Sequence, residues 1–237
     1  MNQKETVLEI QKGLNRLGYS LDEDGIIGRL TLSAIDANIQ RQLSQKEDAA
    51  AEDDAGRFTL AWGARVSPAF RRRVFQICDR FGWSGDMASW LMACIAFETG
   101  ESFDPAQRNL AGSGATGLIQ FMPTTAAGLG TTTAALAAMT AVRQLDYVER
   151  YFEPYADQIA SLSDMYMAIL MPRYVGEPDG AALFTGGIAY RQNAGLDTNR
   201  DGVVTKGEAA RFARDALARG QKPENLWTEK KEDAPCA

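Results

Sequence analysis

The sequence contains no histidine. That absence rules out Ser-His-Asp and Cys-His nucleophilic machinery and the common His-bearing zinc hydrolase sites. Chemistry near neutral pH is left to carboxylates, lysine, tyrosine or an oxygen-bound metal. Cysteine is scarce: Cys78, Cys94 and Cys236 are odd in number and lack zinc-like spacing. The first two fall in apolar helical runs and read as buried thiols suited to a reducing compartment. Long apolar runs are missing too, since WLMACIAF is too short to span a bilayer and stable membrane insertion is not expected. Positive charge is in deficit, with a net charge of −6, which argues against nucleic acid as a partner. The tight cationic run Arg71, Arg72 and Arg73 reads as one solvated helix face. The start, MNQKETVLEI, has no apolar signal region, so the product is expected in the cytoplasm at first.

What is present is helical. The 237 residues divide into a small first unit (1–42), a charged, alanine-rich linker (43–57), a core-like second unit (58–223) and a polar tail (224–237). In the first unit, Val7, Ile10, Leu14 and Leu17 share one helical face, and Leu30, Ala34, Ile35 and Ile39 share another. In the second, Ser67 and Pro68 form an N-cap followed by proline at the first helical position, opening AFRRRVFQICDRFG. SGDMASWLMACIAFETG is apolar over much of its surface and is predicted to run through the domain centre. Further helices are predicted at MTAVRQLDYVERYF, SDMYMAILM and KGEAARFARDALARG, the last closed by Gly220. No convincing strand alternation appears, and the fold class is mainly α.

Two glutamates, Glu98 and Glu101, flank the end of the apolar helix. Glu98 is placed on its last turn, with Gly100 as the capping glycine. Apolar neighbours and the negative end of the helix dipole both disfavour a charged carboxylate there. A raised pKa is what a general acid for glycosidic cleavage needs. Glu101, past the glycine, is expected at the surface.

The segment GSGATGLIQFMPTTA follows, with an amide side chain among apolar residues and a proline that restarts a helix. Together with ETGESFDP it resembles the lytic transglycosylase and goose-type lysozyme superfamily, whose Gly-Leu-x-Gln-x-Met-Pro-x-Thr-Ala element is matched by Gly117, Leu118, Gln120, Met122, Pro123, Thr125 and Ala126. GIAYRQNAG, residues 187–195, is similar to the family's Ala-Tyr-Asn element. The resemblance implies a lysozyme-like helical catalytic domain with Glu98 as the catalytic acid. It places Thr99, Gln120, Phe121, Met122, Tyr190 and Asn193 against the glycan. Thr99 stands where the family commonly has serine, and Arg191 follows Tyr190 where it has asparagine.

DTNRDGVVTKGE, residues 197–208, follows the EF-hand loop pattern. Asp197, Asn199 and Asp201 take positions one, three and five, Gly202 the sharp turn, Val203 a carbonyl position and Glu208 position twelve. A structural Ca2+ ion is one expectation, with no cofactor required for catalysis. The other is metal-free, because Thr205 and Glu208 also spell a capping box.

The first unit resembles the three-helix type of peptidoglycan-binding module through Gln11, Leu17-Gly18-Tyr19, Asp24-Gly25-Ile26, Gly28 and Thr31. That likeness makes Gln11, Tyr19, Gly25, Ile26, Gly28 and Thr31 the expected wall-binding set. Physics alone makes the apolar residues a mini-bundle core and the glycines turn residues. Taken together, the expectation is a monomeric, peptidoglycan-cleaving enzyme that looks like a phage endolysin, held in the host cytoplasm and released to the wall through a holin pore. A virion or secretion-machine protein that remodels the wall, and a non-catalytic wall-binding adaptor, are the alternatives.

Overall fold

The computed structural model describes residues 2–51, 59–109 and 113–228. It is mainly helical, and the chain divides into two compact units, Met1–Asp54 and Ala55–Ala237.

The first unit pairs α1 (Gln3–Arg16) with α2 (Arg29–Ala51). Helix α1 opens with a reciprocal cap: the Asn2 side chain accepts from the Glu5 N–H, and the Glu5 carboxylate accepts from the Asn2 N–H, both at 2.9 Å. Val7, Leu14 and Ala34 are buried as predicted, whereas Ile10, Leu17, Leu30 and Ile39 remain exposed. The resemblance implies three helices; the described residues of this unit form two. Between them, the irregular stretch 17–28 is held by polar bonds. Helix α2 also runs through the predicted start of the linker, to Ala51, because its Ala, Glu, Lys and Gln favour helix.

In the second unit the chain passes in order through β1 (Thr59–Leu60), α3 (Pro68–Phe81), α4 (Gly85–Glu98), α5 (Pro123–Gly128), α6 (Thr133–Ala137), α7 (Ala141–Phe152) and α8 (Leu162–Leu170). It continues through β2 (Ala182–Thr185), α9 (Gly187–Asn193), β3 (Val203–Thr205), α10 (Lys206–Ala209), α11 (Arg211–Gly220) and β4 (Trp227–Thr228). The strands are short antiparallel pairs, β1 with β4 and β2 with β3.

Helix α3 starts where predicted: the Ser67 hydroxyl accepts from the Phe70 N–H at 3.2 Å, and Gly82, in the left-handed region, ends it. Helix α4 is the central element. Met87, Ala88, Leu91, Met92, Ala93, Cys94, Ile95 and Ala96 are all buried, and the helix packs against α3, α8, α11 and β1. Cys78 and Cys94 are buried free thiols, as expected; Cys236 lies outside the described residues.

Two sequence readings need correcting. Arg71, Arg72 and Arg73 are half-buried rather than a solvated face. Arg71 donates to the carbonyls of Gly63 (3.0 Å) and Val66 (2.9 Å) and lies over the Trp227 ring, while Arg73 pairs with Asp146 and Glu149 of α7. Gly220 does not serve as a left-handed cap. It is the last residue of α11, and a Cβ there would sit 2.4 Å from Trp62 Cδ1. Trp62, fully buried, donates its indole N–H to the Ala216 carbonyl at 2.9 Å, so glycine permits a close crossing of helix and indole.

Candidate active site

Glu98 is the last residue of α4, with Thr99 as its C-cap and Gly100 beyond in the left-handed region. The carboxyl is half-buried and makes no hydrogen bond or ion pair among the described residues. Burial without a partner pushes its pKa from 4.5 up to about 7. Its charge adds to burial in raising the pKa of Cys94, Tyr151 and Tyr166.

The turn after Glu98 is tightly built. Thr99 is buried; its hydroxyl donates to the Ile95 carbonyl at 2.8 Å and accepts from the Phe103 N–H at 3.1 Å. Thr99 therefore fixes the turn. Glu101 and Phe103 adopt left-handed backbone, with φ of 69° and 53°, a cost of roughly 1 kcal/mol or more each for non-glycine residues. Phe103 anchors the turn in the core, edge-on to Phe70 at 6.0 Å. Glu101 accepts from Arg219 of α11 at 2.6 Å, while Asp104 accepts from the Ala106 N–H at 2.8 Å. Neither carboxylate is bonded to Glu98.

Residues 116–121 form a tight reversal, with Thr116 and Phe121 exchanging backbone bonds of 3.1 and 2.9 Å. Gln120, at its corner with φ of 51°, is half-buried and donates to the carbonyls of Gly117 (3.0 Å) and Gln107 (3.2 Å). Met122 is 44% exposed beside it. Phe121 departs from expectation: it is buried, with its ring edge-on to Tyr151 at 6.1 Å, and supports the reversal from below.

A buried amide from α7 holds this reversal. Gln144 accepts from the Leu118 N–H at 2.6 Å and donates to the carbonyls of Pro105 (3.0 Å) and Leu136 (2.9 Å). Gly117, in the left-handed region, lets it approach, since a Cβ there would fall 2.3 Å from Gln144 Oε1. Gln144→Met keeps the length but abandons two buried backbone groups and one part-buried one, the buried ones each costing about 1–3 kcal/mol. The expected result is a drop in unfolding free energy of at least ~2 kcal/mol, read by urea denaturation; an unchanged midpoint would refute the clamp.

Tyr190 and Asn193 both lie on α9. The Tyr190 hydroxyl donates to Asp197 Oδ2 at 2.7 Å, and Asn193 bonds back to the Ala189 carbonyl at 2.9 Å within α9. Tyr190 thus belongs to the acidic loop, which raises its phenol pKa chiefly through that bond. Asp197 also accepts from Arg200 N–H (2.7 Å) and Gly202 N–H (3.0 Å). Asn199 donates to Asp201 at 2.9 Å, and Asp201 accepts from the Val203 N–H at 2.9 Å. Glu208 completes the capping box with Thr205 and also accepts from Thr198, bonds that hold its carboxyl down at about 2. The oxygen-only donor set suits a hard cation. Its carboxylates are nevertheless occupied by loop N–H groups, and among the described residues no three acidic, His or Cys side chains gather as a metal site.

In the first unit, Gln11 is buried and bridges the irregular stretch. It donates to Asp24 (2.9 Å) and the Ile26 carbonyl (3.0 Å) and accepts from the Gly25 N–H (2.8 Å). That bond leads the set that holds the Asp24 carboxyl below its usual range. Thr31 is buried beside it, and Gly25 is required because a Cβ would meet Lys4 Cγ at 2.6 Å. Gln11, Gly25 and Thr31 are therefore internal scaffolding. Ile26 (63% exposed), Leu30 (72% exposed), Ile27 and Gly28 are exposed and Tyr19 is half-buried.

Comparison with family models, curated proteins and solved structures finds no match for the chain. The functional reading rests on the residues. Sequence reasoning missed Gln144, Tyr151 and Tyr166, which carried no signal beyond polar or aromatic residues on apolar helical faces.

Proposed function

We propose that the chain is a peptidoglycan glycosidase that cleaves the N-acetylmuramic acid–N-acetylglucosamine β-1,4 bond with Glu98 as general acid and then base. The observation that carries this reading is the Glu98 carboxyl: half-buried, unpartnered and shifted to about 7, so that it holds a proton near neutral pH. Glu98 donates that proton to the departing glycosidic oxygen as an oxocarbenium-like sugar develops. Glu101 is engaged by Arg219 and Asp104 by its own turn, which favours a single-carboxylate course. In that course Glu98 takes the proton from the sugar's own 6-hydroxyl, which attacks C1 and closes a 1,6-anhydro ring. A lysozyme-like helical arrangement, with Gln120 and Met122 bordering the glycan, fits this chemistry. Incubating purified peptidoglycan with wild type and Glu98→Gln tests it: soluble fragments are expected from the wild type alone.

The biological setting is part of the proposal: a phage-type lytic enzyme released to the wall from the host cytoplasm. No described helix is long and apolar enough to cross a membrane. The first unit is proposed to hold the enzyme at the wall through Tyr19 and the exposed Ile26, Ile27, Gly28 and Leu30, raising local concentration. Removing residues 1–54 is expected to abolish pull-down by insoluble peptidoglycan while sparing cleavage of soluble fragments. Unchanged pull-down would contradict that role.

Calcium at residues 197–208 is a separate structural proposal, favoured by the ordered oxygen donors and by Gly202 in the left-handed region at the turn. The mechanism above takes no step through it. Calorimetry at millimolar calcium should give a binding heat and a raised Tm; no heat and no shift would remove the idea.

A further inference from the structure

Tyr166, on α8, is 5% exposed, with its ring edge-on to Phe97 at 5.6 Å; Phe97 is stacked on Phe212 of α11 at 5.5 Å. The phenol therefore sits against the residue that immediately precedes Glu98. A tyrosine this deep ordinarily finds an acceptor for its O–H. Tyr151, the other phenol that feels Glu98, does so, donating to the Ala168 carbonyl at 2.7 Å. The Tyr166 hydroxyl has no hydrogen bond among the described residues. Among the described residues no side-chain polar atom sealed from solvent lacks a partner, so this hydroxyl keeps a path to solvent.

Glu98 is in the same condition, half-buried and unbonded. Glu98 ends α4 and Tyr166 lies on α8, which packs against α4, so two neighbouring helices each carry a polar group with no intramolecular bond. A phenol that reaches solvent and has no protein acceptor is open to bond a ligand oxygen in place of water. The chemistry also separates the two. Burial, reinforced by the charge of Glu98, drives the phenol pKa upward, so Tyr166 stays neutral and can only give or accept a hydrogen bond, while Glu98 exchanges a proton.

We propose that Tyr166 is a substrate-contacting residue whose hydroxyl donates to an oxygen, hydroxyl or amide carbonyl, of the sugar bound at Glu98. The inference rests on the glycosidase reading of Glu98 and adds to it the donor that orients the sugar before proton transfer. A bonded phenol would be a structural tie; an unbonded one leaves its hydrogen bond for the ligand.

The test uses the full chain acting on soluble peptidoglycan fragments, comparing wild type, Tyr166→Phe, Tyr151→Phe and Glu98→Gln. Tyr166→Phe keeps the ring and loses no intramolecular bond, so Tm is expected to stay at the wild-type value. kcat/KM should fall about tenfold, the scale of one buried hydrogen bond to a ligand. Tyr151→Phe, which loses its bond to Ala168, should lower Tm. If Tyr166→Phe cleaves as wild type does while Glu98→Gln is inactive, this inference alone is overturned. A Tm loss in Tyr166→Phe equal to that in Tyr151→Phe would make Tyr166 a structural tie and also overturn it. A wild type that releases no fragments, or an active Glu98→Gln, overturns the glycosidase reading and this inference with it.

Discussion

Glu98→Gln is expected to lower the rate of peptidoglycan cleavage by about 10²–10⁴-fold, the usual contribution of a positioned general acid, while leaving the fold intact. The same carboxyl makes a stability prediction of opposite sign. In the folded chain it keeps its proton to about pH 7, against 4.5 as its ordinary value. Between those values the folded state binds more protons than the unfolded one. Its contribution is therefore most favourable below about 4.5 and is lost as pH rises through 7. At about 1.4 kcal/mol per pH unit the loss amounts to ~3 kcal/mol above pH 8. Glu98→Gln cannot ionise, so it should match or exceed wild-type stability at pH 8, with the gap closing by pH 5. Urea denaturation at both pH values reads it. A variant less stable at pH 8 would show that the carboxylate is bonded after all. The wild-type activity should likewise fall on an alkaline limb centred near pH 7.

The second large effect lies at Lys206. This lysine is fully buried at the start of α10 and pairs with the buried Asp164 of α8; it also donates to the Glu177 carbonyl at 2.5 Å. Asp164 further accepts from Ser161 Oγ (2.7 Å), Gly176 N–H (2.8 Å) and Ala160 N–H (3.2 Å). Burial alone would raise the Asp164 pKa, but Lys206, Ser161 and the two N–H groups outweigh it and hold the carboxyl below its usual range. Lys206→Met leaves a buried carboxylate without its cation and should cost about 3–5 kcal/mol. Removing both charges, in Lys206→Met with Asp164→Leu, should cost less than the sum of the single changes. The sign in pH is opposite to that of Glu98. The Asp164 contribution is present above the ordinary carboxylate value and is lost as pH falls through its lowered folded pKa. A Tm for Lys206→Met within a degree or two of wild type would remove the claim.

Much of this was legible wherever local chemistry decides structure. Ser67, Pro68 and Gly82 bound α3 by capping rules that need no tertiary information, and the apolar surface of α4 announced its central position. The environment of Glu98 followed from the same helix. Contacts distant in sequence were not legible. Gln144 binds Leu118 across a separation of 26 residues, and nothing local distinguishes it from a solvated amide. Lys206 reads as a surface lysine inside a loop pattern until α8 is seen beneath it. Tyr166 and Tyr151 looked like core aromatics, and only the presence or absence of an acceptor separates their roles. The resemblance names Thr99, Phe121, Gln11 and Thr31 as binding residues, and the structure shows all four buried. A matched motif gives residue identity, while burial decides whether a side chain faces a ligand or the core.

Mass spectrometry of the fragments released from purified peptidoglycan by wild type, with Glu98→Gln alongside, distinguishes the possible courses of cleavage. Muropeptides ending in 1,6-anhydro sugars, lighter by one water than the hydrolytic products, are expected from the wild type and none from the variant. Fragments still released by Glu98→Gln, or reducing-end products from the wild type, would contradict a single-glutamate glycosidase.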